Sequence, residues 1–140
     1  MRNLKRALSL ALASVMLLGM MVVGTSASYA DVSSKNNLEA IEVLQKVGIM
    51  TGDDKGNFNP DQKVTRNEMA VIMCKLLDLN TKDYAGSCPF TDVPAGSYYE
   101  DAVIWAVDKG ITGGVGNGLF APNQPCTRAQ IVTFLWRAAG

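Results

Sequence analysis

The chain repeats itself. Displaced by 62 residues, the sequence falls on itself without a gap: Gly48-Ile49 on Gly110-Ile111, Gly52 on Gly114, Gly56 on Gly118, Phe58 on Phe120, Pro60 on Pro122, Gln62 on Gln124 and Thr65-Arg66 on Thr127-Arg128. Most of these nine identities are residues that set backbone geometry or start helices. Upstream, with one inserted residue, Tyr29-Ala30-Asp31-Val32 resembles Phe90-Thr91-Asp92-Val93. A repeat of this kind is one supersecondary unit built twice, and neighbouring copies bury apolar surface that neither buries alone.

Each unit reads as helix, loop, helix, which makes the expected fold all-α. Leu38, Ile41, Val43, Leu44 and Val47 recur at roughly helical spacing, as do Tyr99, Ala102, Val103, Ala106 and Val107. Gly48 and Gly110 follow these faces where a glycine in left-handed conformation ends a helix. The glycine- and proline-bearing loops, with Gly52, Gly56 and Pro60 or Gly114, Gly118 and Pro122, suit no long regular element. Thr65 with Glu68 and Thr127 with Gln130 then predict two capping boxes. Val64 with Met69 and Cys126 with Ile131 predict the accompanying hydrophobic staples. Met69, Ile72, Met73 and Leu76, and likewise Ile131, Phe134, Leu135 and Ala138, supply the apolar faces that follow. The expected organisation is a leader over residues 1–30, a first repeat over 31–79, a linker over 80–89 and a second repeat over 90–140.

The leader is a secretory signal peptide in layout. A basic head ending at Lys5 and Arg6 precedes an uncharged, mainly apolar run, Ala7 to Gly24, and then small residues. Ser28 and Ala30 fit the −3 and −1 positions, and Thr25 and Ala27 fit nearly as well. If the first Asp-Val opening belongs to the fold, cleavage after Ala27 leaves Tyr29 free to pack. A retained membrane anchor is the other reading of the apolar run, but the small residues after it favour cleavage. Without the leader, ten basic residues face thirteen acidic ones, and no basic stripe remains to neutralise nucleic-acid phosphates.

Chemistry-bearing residues are sparse. The sequence has no histidine, so serine, threonine and cysteine nucleophiles lack their commonest activating base, and an enzyme is not expected. The carboxylate pairs Asp53-Asp54 and Glu100-Asp101 read as solvated neighbours. Asp53-Asp54-Lys55-Gly56-Asn57 faintly suggests a calcium loop, but its counterpart Val115-Gly116-Asn117-Gly118 has no carboxylate, which favours a turn. Cys74, Cys88 and Cys126 cannot all pair within one chain; Cys74 falls in a helical apolar stretch, and a Cys88–Cys126 bridge is the one pairing weighed. Trp105 and Trp136 are expected to be core residues.

The ordered set of motifs resembles the S-layer homology family: an aromatic-x-Asp-Val opening, a helix, Gly-Ile, a Gly-x-Phe-x-Pro loop and a Thr-Arg-Ala-Glu helix start. The second unit shows Phe90-Thr91-Asp92-Val93, Gly110-Ile111, Gly118-Leu119-Phe120-Ala121-Pro122 and Thr127-Arg128-Ala129-Gln130. The first shows Gly48-Ile49, Gly56-Asn57-Phe58-Asn59-Pro60 and Thr65-Arg66-Asn67-Glu68. The resemblance implies a cofactor-free, non-catalytic module on the outside of a bacterial cell that binds a secondary cell-wall polysaccharide, often one carrying acidic ketal-linked pyruvate. It also implies three repeats packed as a pseudo-threefold prism, so that two would form a small helical bundle lacking one side.

The family's ligand-contact arginine maps to Arg66 and Arg128. Tyr98 stands where the family usually has tryptophan, and Asp92 of the Asp-Val opening is a further candidate contact. A guanidinium at the first position of a helix can engage a carboxylate through two hydrogen bonds while free backbone N–H groups favour the same anion. The alternative is structural: each arginine bonds loop carbonyls or an acidic residue of the other unit. Two departures bear on the implied role. Gln130 replaces the usual glutamate, and only two repeats are present, so either the chain is a fragment, or two units suffice weakly, or copies assemble to supply a third. A protein–protein assembly module of a surface layer is the rival function.

Overall fold

A computed structural model of the chain describes residues 29–32 and 35–139. The expected leader, up to residue 28, lies outside them. Regular structure among the described residues is helical: α1 (Lys35–Lys46), α2 (Arg66–Leu76), α3 (Glu100–Asp108) and α4 (Arg128–Ala138), with a 3₁₀ helix at Thr81–Tyr84. Two isolated bridges, Thr65 with Pro125 and Gly116 with Leu119, are the extended pairings found there. The all-α expectation holds. The described chain divides into two compact units, residues 29–62 and 63–139. That division falls inside the first sequence repeat, so α2 folds with the second repeat.

Residues 29–62 close on themselves through the start of the segment. Asp31 accepts the N–H groups of Phe58 and Asn59 at 2.9 and 2.6 Å, one on each carboxylate oxygen. Tyr29, 7 % exposed, lies against Phe58 with ring centroids 5.5 Å apart. Gly52 makes room for that ring: a Cβ there would sit 2.7 Å from Tyr29 Cε1 and 2.5 Å from the Asn57 carbonyl oxygen. α1 ends in a Schellman motif, with Gly48 at φ 73° and hydrogen bonds from Gly48 to Gln45 and from Ile49 to Leu44, each 2.9 Å.

Residues 63–139 contain the same closure one repeat later. Asp92 accepts the N–H groups of Phe120 and Ala121 at 2.8 and 2.7 Å. Phe90 lies 5.5 Å from Phe120, and Gly114 makes room for the Phe90 ring as Gly52 does for Tyr29. Gly110 and Ile111 repeat the Schellman bonds, to Val107 and Ala106. α2 packs on α3 and α4, and the 3₁₀ helix, inside the expected linker, packs on α3. Met73, Cys74, Val103, Ile111 and Phe120 are the fully buried side chains at the centre of this unit. Burying a side chain of this size contributes about 1.5–3 kcal/mol.

One expectation is corrected here. Trp105 is buried at 3 % exposure, but Trp136 is 74 % exposed, because nothing among the described residues packs on its side of α4. All three cysteines are free thiols, so the Cys88–Cys126 pairing does not form. Burial pushes the Cys74 thiol up to about 12, which leaves it a small apolar filler.

Candidate functional site

The two Thr-Arg pairs head α2 and α4 at equivalent sequence positions and meet different surroundings. Both helices begin with a capping box, as their sequences predict. At α2, the Glu68 carboxylate accepts the Thr65 N–H at 2.7 Å, and Asn67 Oδ1 accepts the Glu68 N–H at 2.7 Å. The other free donors of the first turn go to the loop of the second repeat. Arg66 N–H donates to the Gln124 carbonyl at 2.9 Å and Asn67 N–H to the Pro122 carbonyl at 3.0 Å. In return, Cys126 N–H donates to the Val64 carbonyl at 2.9 Å. A helix start left open by its own turn is thus closed by the loop of the following repeat.

The Arg66 side chain completes that joint. It is 2 % exposed, and its Nε donates to the Phe120 carbonyl at 2.7 Å. Its Nη2 reaches the Thr112 hydroxyl at 3.4 Å. The guanidinium carbon stands 4.8 Å from the centre of the Phe120 ring and 5.4 Å from that of Phe134. Burial pushes the guanidinium below its ordinary value, while Cys126 and Asp92 nearby act in the opposite direction. Compensation comes from a carbonyl, a hydroxyl and two aromatic faces. Arg66 is therefore committed to its own chain.

Arg128 has none of these partners. It is exposed, and neither its guanidinium nor its backbone N–H finds an acceptor among the described residues; the Ala129 N–H is equally open. Gln130 completes the capping box with Thr127 through bonds of 2.9 and 3.2 Å and adds no negative charge. A permanent cation, two free N–H groups and the positive end of a helix dipole converge here. The arrangement can receive one carboxylate.

Tyr98 is 71 % exposed and meets Tyr99 edge-on at 5.0 Å. Its phenol is pushed up by desolvation and then by the Glu68 charge, which puts it within electrostatic reach of the α2 start. Its ring is free to stack on a sugar. Asp92 has both carboxylate oxygens engaged in the loop. It also borders a shallow depression of about 400 Å³ lined by Ala121, Pro122, Asn123 and Gln124, without a cation among them. The four candidates thus do not form one cluster around an exposed arginine.

The sequence reading missed Thr112. It is 6 % exposed and takes hydrogen bonds from both Arg66 and Gly114. Its counterpart in the first repeat is Met50, and that break in the repeat is the signal that could have singled it out. In the suspected calcium loop, Asp53 is occupied by its own turn, accepting from Lys55 N, Asn57 N and the Asn59 side chain.

The S-layer homology domain matches residues 28–70 and 89–132, one match per sequence repeat. This chain belongs to the S-layer homology domain family. The surface-layer 125 kDa protein of Lysinibacillus sphaericus is 38 % identical over 97 residues, 69 % of this chain and 8 % of that protein. A cell surface protein of Thermoanaerobacter kivui is 30 % identical over 100 % of this chain and 19 % of its own length. Exoglucanase XynX of Acetivibrio thermocellus is 31 % identical over 84 % of this chain and 10 % of its own length. The S-layer homology chain thus spans less than a fifth of each of these three relatives. Its family match begins upstream of Tyr29, in keeping with the packing of that ring as part of the first repeat.

Proposed function

We propose that this S-layer homology chain fastens an exported protein to the outside of a bacterial cell by binding an acidic cell-wall polysaccharide, with Arg128 receiving a carboxylate of the glycan. The observation that carries this reading is the uncommitted start of α4, where Arg128 and two backbone N–H groups face outward beside the neutral Gln130. The relatives support the role. One protein named for a surface layer, one named as a cell surface protein and one named as an exoglucanase share this segment over little of their length, as a portable attachment module would. Pyruvyl ketals on wall sugars are carboxylates of suitable geometry for a guanidinium fork. Tyr98 adds a stacking face, and Arg66 holds the loop in shape.

A single contact of this type is weak, so attachment gains strength when several repeats engage one polymer. Cosedimentation of the exported form with purified cell walls tests the reading. Binding is expected to the native walls and to fall about tenfold or more after chemical removal of pyruvate or other acidic substituents. Equal binding to acid-stripped walls would overturn the assignment.

A further inference from the structure

The first sequence repeat shows what the second one lacks. On α2, Ala70, Met73 and Cys74 are 4, 2 and 0 % exposed beneath α3 and its loop. Their counterparts on α4, one repeat later, are Val132, Leu135 and Trp136, at 65, 36 and 74 % exposure. An apolar helix face that is core in one copy is open in the other. The hydrogen-bonding groups at the head of the helix follow the same division. At α2, the donors Arg66 Nε, Arg66 N and Asn67 N meet the carbonyls of Phe120, Gln124 and Pro122. At α4, the corresponding donors are Arg128 Nε, Arg128 N and Ala129 N, and they have no acceptors among the described residues.

The matching acceptors exist within the same chain. Shifted back by one repeat, the carbonyls of Phe120, Pro122 and Gln124 become those of Phe58, Pro60 and Gln62. Within residues 29–62, these three accept no hydrogen bond, and Pro60, Asp61 and Gln62 are exposed. The loop that carries them is built as the second one is, with an aspartate clamp on its N–H groups and a left-handed residue after the phenylalanine: Asn59 at φ 57° and Ala121 at φ 58°.

We infer that α4 is a docking surface for the first-repeat loop, residues 56–64, of a second copy of this chain. The loop carbonyls close the head of α4, and α1 of that copy covers Val132, Leu135 and Trp136 as α3 covers α2. Such a contact is heterologous: one copy's α4 meets another copy's loop, so the association either closes into a ring or continues head to tail. The inference does not rest on the glycan reading. A carbonyl of a second copy and a glycan carboxylate compete for the same fork on Arg128.

Sedimentation velocity and tryptophan fluorescence of the exported form test it, from about 1 µM to about 300 µM, a range that covers weak to moderate affinities. Association is expected to rise with concentration, with a blue shift from Trp136 while the already buried Trp105 is unchanged. Trp136→Lys, at an exposed position, is expected to remain folded and monomeric, and Arg128→Met to weaken association about tenfold. A wild-type chain that stays monomeric throughout overturns the proposal, as does association that Trp136→Lys leaves intact. A blue shift of Trp136 on adding purified wall polysaccharide to a monomeric chain also overturns it, while leaving the glycan reading standing. Conversely, association without any wall binding defeats the glycan reading alone.

Discussion

The side chain of Arg66 donates to the carbonyl oxygen of Phe120 across 54 positions of sequence, at 2.7 Å and out of reach of solvent. One repeat later the same residue type, after the same threonine, stands exposed. The Thr-Arg pair and the capping box are common to both sites, so the difference in burial comes from what packs beside each helix.

Removal of the buried cation should therefore act on stability. Arg66→Ala is expected to cost about 3 kcal/mol, since it strands the Phe120 carbonyl and empties the space between two aromatic rings. Urea denaturation checks this. Arg66→Lys should recover only part of the loss, because an ammonium cannot reproduce the planar fork.

Arg128→Ala should do the reverse. At an exposed position its effect on unfolding is expected within about 0.5 kcal/mol, whereas wall binding should fall about 10- to 100-fold. Parallel melting and wall-cosedimentation curves separate the two effects. A variant that binds walls at wild-type strength would remove Arg128 from the site.

Ala121 carries a left-handed backbone at φ 58°, a conformation that costs an alanine about 1 kcal/mol or more. The equivalent Asn59, at φ 57°, is a residue that tolerates it. Ala121→Gly or Ala121→Asn keeps the N–H bonded to Asp92 and is expected to raise stability by about 0.5–1 kcal/mol. A shift of the thermal midpoint by a few degrees upward is the readout.

Acid should loosen residues 29–62. The Phe58 N–H holds the Asp31 carboxyl below the usual carboxylate range, and the Asn57 N–H, followed by the Asn59 side chain, holds Asp53 at about 2. A carboxylate lowered by folding contributes stability above its unfolded value, and that contribution disappears as pH falls through the folded value. For Asp53 the window runs from 3.8 down to about 2. Amide resonances of Asn57 and Phe58, followed through that range, should report the loss, and Asp53→Asn should flatten the Asn57 response.

Tyr29 bears on processing. Its ring is buried against Phe58 and Gly52, so a mature chain beginning at Asp31 would lack part of its fold. Intact mass of the exported protein is expected to place the first residue at Ser28, after Ala27. A mass corresponding to Asp31 would contradict this and predict a less stable first unit.

The sequence made visible whatever depends on residues close together along the chain. The 62-residue shift, both capping boxes, both glycine-terminated helices and the all-α class were readable because each has a short-range cause. Trp136 was misjudged for the opposite reason. An apolar helix stripe announces that a face is suited to burial, but not whether a neighbour exists to bury it. Asp92 was read as a ligand contact, whereas its carboxylate clamps the loop, a role already implicit in Asp31, which precedes Phe58 at nearly the spacing that separates Asp92 from Phe120. Arg66 and Arg128 were indistinguishable, since burial of the first is decided by a loop more than fifty residues away.

Folding joins α2 to the repeat that comes after it, so the written repeat and the packed unit are out of step by one helix. An array grown by copying the 62-residue segment gains one sealed joint with each addition. It keeps a bare loop at its leading edge and a bare helix at its trailing edge, however many copies it holds. Adding a repeat seals one joint and opens the next, because each joint is made by the helix of one repeat and the loop of the repeat that follows.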